Sequence, residues 1–129
     1  MISEYVSRIN IGTPKVKIVL EKTTLFQGEM LEGSFHIVGS FFTKTKVKRY
    51  DIELIARDLD TGKEQIYNER VVYSTLFCKR SEQSTIPFCL KIPKDLPIYL
   101  HYLVRARVAL ENVEKFEEEF PITLKYNMR

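Results

Sequence analysis

The stretch FQGEMLEGSFHI (Phe26–Ile37) sets two glycines and two acids at the head of an alternating apolar run. Glycines so placed either cradle a phosphate or shape the start of a strand. A cradle needs a glycine-rich loop that opens a helix. Here Leu31, Gly33, Phe35 and Ile37 fall on one side, and Glu32, Ser34 and His36 on the other. That period of two belongs to a half-buried strand. Gly28 then supplies the positive φ of a tight turn. Gly33, on the core-facing parity, marks a bulge or the close approach of another backbone. Neither role requires a ligand.

The same alternation runs outward from this stretch. Val16, Ile18 and Leu20 share a face, as do Tyr50, Ile52, Leu54 and Ala56, with Asp51, Glu53 and Arg57 opposite. RDLDTGKE (Arg57–Glu64) reads as a turn with Gly62 at its tip, and Gln65–Tyr73 as the returning arm of a hairpin. Ser84–Pro93 is a further strand, in which Pro87 lacks an N–H and so marks an edge or a strand start. Leu100–Leu110 and Phe116–Tyr126 close the pattern, with Glu118 between Phe116 and Phe120. The first ten residues are expected to form a short turn of helix with Tyr5 and Ile9 on one side. About seven strands with regular turns predict an all-β antiparallel sandwich, one wet face per sheet.

A chain of 129 residues fits one domain. It is expected to comprise a short segment at 1–12 and a sandwich over 13–126. Apolar residues make up 44% and charged residues 29%, a globular composition. The net charge of +3 is mild. Apart from the cluster Lys44–Arg49 the cations are scattered, which argues against nucleic-acid binding. No apolar run approaches ~20 residues, so no membrane span is expected. MISEYVSRIN lacks a signal peptide's apolar run, and a cytoplasmic location is expected.

Chemistry is sparse. Cys78 and Cys89, eleven positions apart, fit neither a zinc nor a redox spacing and read as free thiols. His36 and His101 fall on outward parities, with no ligand spacing around them, so neither metal nor cofactor is expected. DLDTG (Asp58–Gly62) has acids two apart but lacks the closing glutamate of a calcium loop, and reads as a hairpin tip. No serine sits on a nucleophile elbow. No catalytic residues are assigned, and the chain is expected not to be an enzyme.

Two blocks carry a family resemblance. KVKIVLEKTTLFQGEMLEGSFHIVG (Lys15–Gly39) resembles the opening of arrestin-fold lobes, with Gly28, Glu29, Gly33, Phe35 and Ile37 in place and Gln27 where proline is usual. IPFCLKIPKDLPI (Ile86–Ile98) is similar to a later arrestin stretch, matched at Ile86, Pro87, Phe88, Leu90, Pro93, Asp95 and Pro97. With INIGTPKVKIVLEKTTLFQGE, the resemblance is nearest to the bacterial sporulation-control (SpoOM) family and covers roughly residues 9 to 126. It implies an arrestin-like, immunoglobulin-like sandwich, here a single N-terminal-type lobe, and a regulatory role through protein contacts. The family usually has two tandem lobes. A lone lobe leaves an edge and a face open to a partner protein or to a second copy, as a homodimer.

Candidate contact residues follow from two features. In VVYSTLFCKR (Val71–Arg80), Tyr73, Leu76 and Phe77 lie at a strand end and in a loop that cannot bury them all. On the outer parities, Arg105 and Arg107 would face Glu117 and Glu119 if the last two strands pair. Such charges form either a salt-bridged wet face or a docking patch. The alternative function is a small-ligand sandwich of carbohydrate-binding type. Such sites favour exposed aromatics, whereas this chain has no Trp and most of its seven Tyr fit inward positions.

Overall fold

The structure, a computed structural model, describes residues 3–5 as backbone and residues 14–40, 44–111, 113 and 115–126 in full. Among them ten strands form: β1 (Ser3–Tyr5), β2 (Lys15–Leu20), β3 (Thr24–Phe26), β4 (Met30–Val38), β5 (Thr45–Arg57), β6 (Glu64–Tyr73), β7 (Phe77–Cys78), β8 (Gln83–Lys91), β9 (His101–Leu110) and β10 (Phe116–Lys125). Seven of these are six residues or longer and match the alternating segments of the sequence; β1, β3 and β7 are the short additions. One sheet has the order β1-β2-β4-β8. The other runs β3-β10-β9-β5-β6, with β7 paired to the start of β5. Every pairing is antiparallel except that of β3 with β10.

Ser3–Tyr5 is not the expected helical turn. It pairs antiparallel with Val16–Ile18 at the edge of the first sheet. Residues 6–13, including Ile9, lie outside the described residues. Three residues give too short a pattern to reveal period, and the open edge of β2 decides the conformation.

The inward parities make one core. Val16, Ile18, Leu31, Phe35 and Ile37 meet Ile52, Leu54, Val104, Ala106 and Val108 from the opposite sheet, all buried. Phe35 packs edge-on against Tyr50 (5.5 Å) and tilted against Phe88 (5.0 Å). Gly33 makes room for Phe88. A Cβ at position 33 would stand 2.5 Å from the Phe88 ring and from the Val19 carbonyl. Gly28 has φ +86°, the turn conformation expected of it.

The two blocks that carry the family resemblance lock together. The buried Gln27 accepts a hydrogen bond from the Leu96 N–H (2.9 Å) and donates one to the Leu96 carbonyl (3.2 Å). The Gly28 N–H donates to the Ile92 carbonyl, and the Ile92 N–H to the Glu29 carbonyl, each at 2.9 Å. Beside them the Glu29 carboxylate accepts from the Phe26 N–H. Its ion pair with Lys22, and then that hydrogen bond, hold its pKa below the carboxylate range.

Two bulges reset the alternation of the second sheet. In the β5–β9 ladder, Val47 faces Leu110 and Arg49 faces Ala109, leaving Lys48 as the extra residue. In the β5–β6 ladder, Leu54 faces Asn68 and Ile55 faces Ile66, leaving Tyr67 unpaired. Tyr67 packs at the core margin, 6.0 Å from the Tyr102 ring.

Candidate interaction surfaces

The outer face of the second sheet is a ladder of charges in register. Asp51, Arg107 and Glu117 lie side by side across β5, β9 and β10, and Glu53, Arg105 and Glu119 form the next rung. Arg105 Nη2 lies 2.6 Å from Glu119 and 3.1 Å from Glu64. Arg107 Nε donates to Glu117 at 2.8 Å, and its Nη2 lies 3.2 Å from Glu53. Arg57 pairs with Glu64 and reaches Glu119, and Arg49 lies 3.1 Å from Asp51. Asp51 and Glu53 are buried beneath the arginine side chains, where Asp51 Oδ1 and Glu53 Oε1 make ionic contacts without a hydrogen bond. Arg105 above all lowers the pKa of Glu119, while Arg57 and then Arg105 lower that of Glu64. Arg105, Arg107, Glu117 and Glu119 are thus brought together and matched mainly to one another. On such a face the charges are largely balanced within the molecule.

The end of the sandwich where β5 begins is different. Tyr73, Leu76 and Phe77 are 78%, 44% and 53% exposed. Tyr73 lies over the Arg49 guanidinium, 5.7 Å from its ring centroid. The Val47 N–H donates to the Leu76 carbonyl (2.8 Å), and Lys46 stands opposite Phe77. Cys78 is buried beneath them. The backbone here is pinned while the side chains project into water.

Sequence reasoning missed the far end. Leu59, Ile98 and Tyr99 are exposed there, beside a cavity of about 390 Å³ whose lining includes Leu59, Ile98, Leu100, Pro121, Leu124 and Tyr126. The Tyr102 hydroxyl donates to the Pro97 carbonyl (2.6 Å), and burial pushes its pKa up to about 12. The signal was in LPIYL (Leu96–Leu100), apolar residues in a proline-bounded loop, which is the criterion that picked out Leu76 and Phe77. A second cavity, of about 370 Å³, lies between Gly33, Tyr50, Arg70, Phe88 and Cys89, where Arg70 Nη1 donates to Cys89 Sγ at 3.5 Å.

His36 is hydrogen-bonded to Ser34 (2.9 Å), and His101 is exposed. Among the described residues, no group of three or more His, Cys, Asp or Glu could hold a metal ion. Asp58 accepts from the Asp60 and Thr61 N–H groups of its own turn, so DLDTG is a hairpin tip. No helix is long and apolar enough to cross a membrane among the described residues.

A family model described as SpoOM protein matches residues 2–117. The chain belongs to the SpoOM family. Among solved structures, Spo0M, a sporulation control protein from Bacillus subtilis, superposes with a TM-score of 0.70 at 22% identity, over 89% of this chain and 50% of that one. The chain therefore spans about half the length of the solved protein it matches. Among curated proteins none matches. The likeness to Spo0M is one of fold, and the fold is the arrestin-like sandwich expected from Lys15–Gly39 and Ile86–Ile98.

Proposed function

We propose that this SpoOM-family chain is a non-catalytic protein-interaction module acting in sporulation control, and that its partner binds along β6. One observation carries the reading. β6 is ten residues long and ends the order of its sheet, so among the described residues one side of its backbone has no strand partner. An open edge of that length is a template for an added strand. Ile66, Val71 and Tyr73 stand exposed along it and offer side-chain contacts to go with the main-chain ones. Asn68 donates to the Lys91 carbonyl (2.8 Å) and Arg70 reaches Cys89, so both tie β6 to β8 of the other sheet. In this reading Arg105, Arg107, Glu117 and Glu119 stiffen the neighbouring strands and meet the partner at its rim. The partner is another protein or a second copy of the chain.

The test is affinity capture of the tagged chain from lysate of its native host, with its mass in solution measured in parallel. A near-stoichiometric companion or a dimer is expected, and either should be lost in Val71→Lys/Tyr73→Lys. A chain that stays monomeric at high concentration and captures nothing would sink the reading.

A further inference from the structure

The end of the sandwich around β7 brings the cation cluster Lys44–Arg49 together with Lys79 and Arg80, some thirty positions on. Lys46, Lys48 and Arg49 enter on β5, and Lys44 stands just before it. The Lys48 bulge adds a residue between Val47, which is buried, and Tyr50, which packs on Phe35. Both Lys48 and Arg49 therefore lie on the outer side with Lys46. Lys79 and Arg80 come from the following turn. That turn is tied to Gly39 and Ser40 by Gly39 N–H to Glu82 carbonyl (3.0 Å) and Ser81 N–H to Ser40 carbonyl (3.1 Å). Of the six cations, Arg49 pairs with Asp51; the other five make no ion pair among the described residues. The neighbouring acids are Glu82 and Glu111, both exposed. Leu76 and Phe77 project from the middle of this cluster.

We propose that this end docks on an anionic phospholipid bilayer, with Leu76 and Phe77 entering the interface and Lys44, Lys46, Lys48, Lys79 and Arg80 meeting headgroup phosphates. The inference goes beyond the β6 reading and uses a different surface. Three observations favour a bilayer over an acidic protein. Four of the five unpaired cations are lysines, flexible point charges suited to a diffuse layer of headgroup charge, whereas the planar arginine fork is fitted to fixed bidentate partners. The apolar residues protrude rather than line a groove. Two apolar side chains fall far short of the roughly 800 Å² per partner of a stable protein interface. An apolar tip ringed by cations is nevertheless enough for reversible binding at a charged lipid surface.

The probe is vesicle co-sedimentation, comparing phosphatidylcholine containing about 30% phosphatidylglycerol with phosphatidylcholine alone. The chain should pellet with the anionic vesicles and not with the neutral ones, and salt should weaken the binding as the screening length shortens. At about fivefold per lysine, Lys46→Gln/Lys48→Gln should bind about 25-fold more weakly. Leu76→Asp/Phe77→Asp should abolish binding. Should that variant misfold, the lysine pair still decides, since both side chains lie outside the core. Absence of pelleting with anionic vesicles, or variants equal to wild type, would overturn the proposal. If the tip variants keep vesicle binding but lose a captured protein, the tip is a protein contact and the bilayer inference falls while the interaction-module reading stands. Vesicle binding without any captured partner or dimer would fell the module reading alone.

Discussion

The outer face of the second sheet and the end around β7 use the same kinds of residue to opposite effect. On the face, Arg49, Arg57, Arg105 and Arg107 meet Asp51, Glu53, Glu64, Glu117 and Glu119, and each side chain has a partner. Around β7, Lys44, Lys46, Lys48, Lys79 and Arg80 have none among the described residues. The cause is register. β9 lies between β5 and β10, so each of its outward arginines has a carboxylate on both flanks. β7 is two residues long, and the ladders stop there. Whether a charge is spent inside the molecule or left for a partner is decided by where strands end.

The largest effect should come from Arg105→Ala. It leaves Glu53, nearly buried, with one arginine fewer and strips Glu64 and Glu119 of a shared partner. A loss of about 2–3 kcal/mol in urea denaturation at pH 7 is expected. The arginine contacts hold the folded-state pKa values of Glu119 and Glu64 below their unfolded values. Their contribution is therefore full above the ordinary carboxylate value and is lost as pH falls through the depressed folded ones, so the mutant's deficit should shrink in acid. A loss under about 0.5 kcal/mol at pH 7 would break the comparison, because the face would not then be a closed network.

A smaller effect of opposite sign is expected at Glu118. It faces inward between Phe116 and Phe120, and burial raises its pKa. For an acid, that sign means the charged form opposes folding. Glu118→Gln should add about 1 kcal/mol at neutral pH, and the gain should fade as pH falls through the raised folded value. A destabilised variant would show that the carboxylate serves the fold. The smallest change should be that of Lys46→Gln/Lys48→Gln, within about 0.5 kcal/mol of wild type. A larger drop would mean that these lysines are already engaged within the fold.

Much of this architecture is legible in the sequence. Leu31, Phe35 and Ile37 announce β4 by period alone, and the Gly28 turn and the 58–62 hairpin tip lie where their residue types require. Alternation puts Arg105 and Arg107 on one side of β9 and Glu117 and Glu119 on one side of β10, while the register of the two strands decides which arginine meets which acid. What stayed hidden depends on contacts distant in sequence. The parallel addition of β3 to β10 leaves no periodic mark in three residues. Asp51 and Glu53 read as solvent-facing, yet the arginines of β9 fold over them. Bulges at Lys48 and Tyr67 carry no glycine to betray them. Ile98 and Tyr99 meet the same loop criterion as Leu76 and Phe77, and are at least as exposed.

The bulge at Lys48 also sets where this strand tolerates a change in length. In the rest of β5, away from the Lys48–Arg49 pair, losing one residue would invert the remainder and carry Ile52 and Leu54, or Thr45 and Val47, out of the core. Losing Lys48 restores plain alternation from Val47 through Arg49 to Tyr50, with both faces intact. The bulge is therefore where this strand can lose a residue without refolding the sheet, and the cation lost there changes the surface while leaving the core alone.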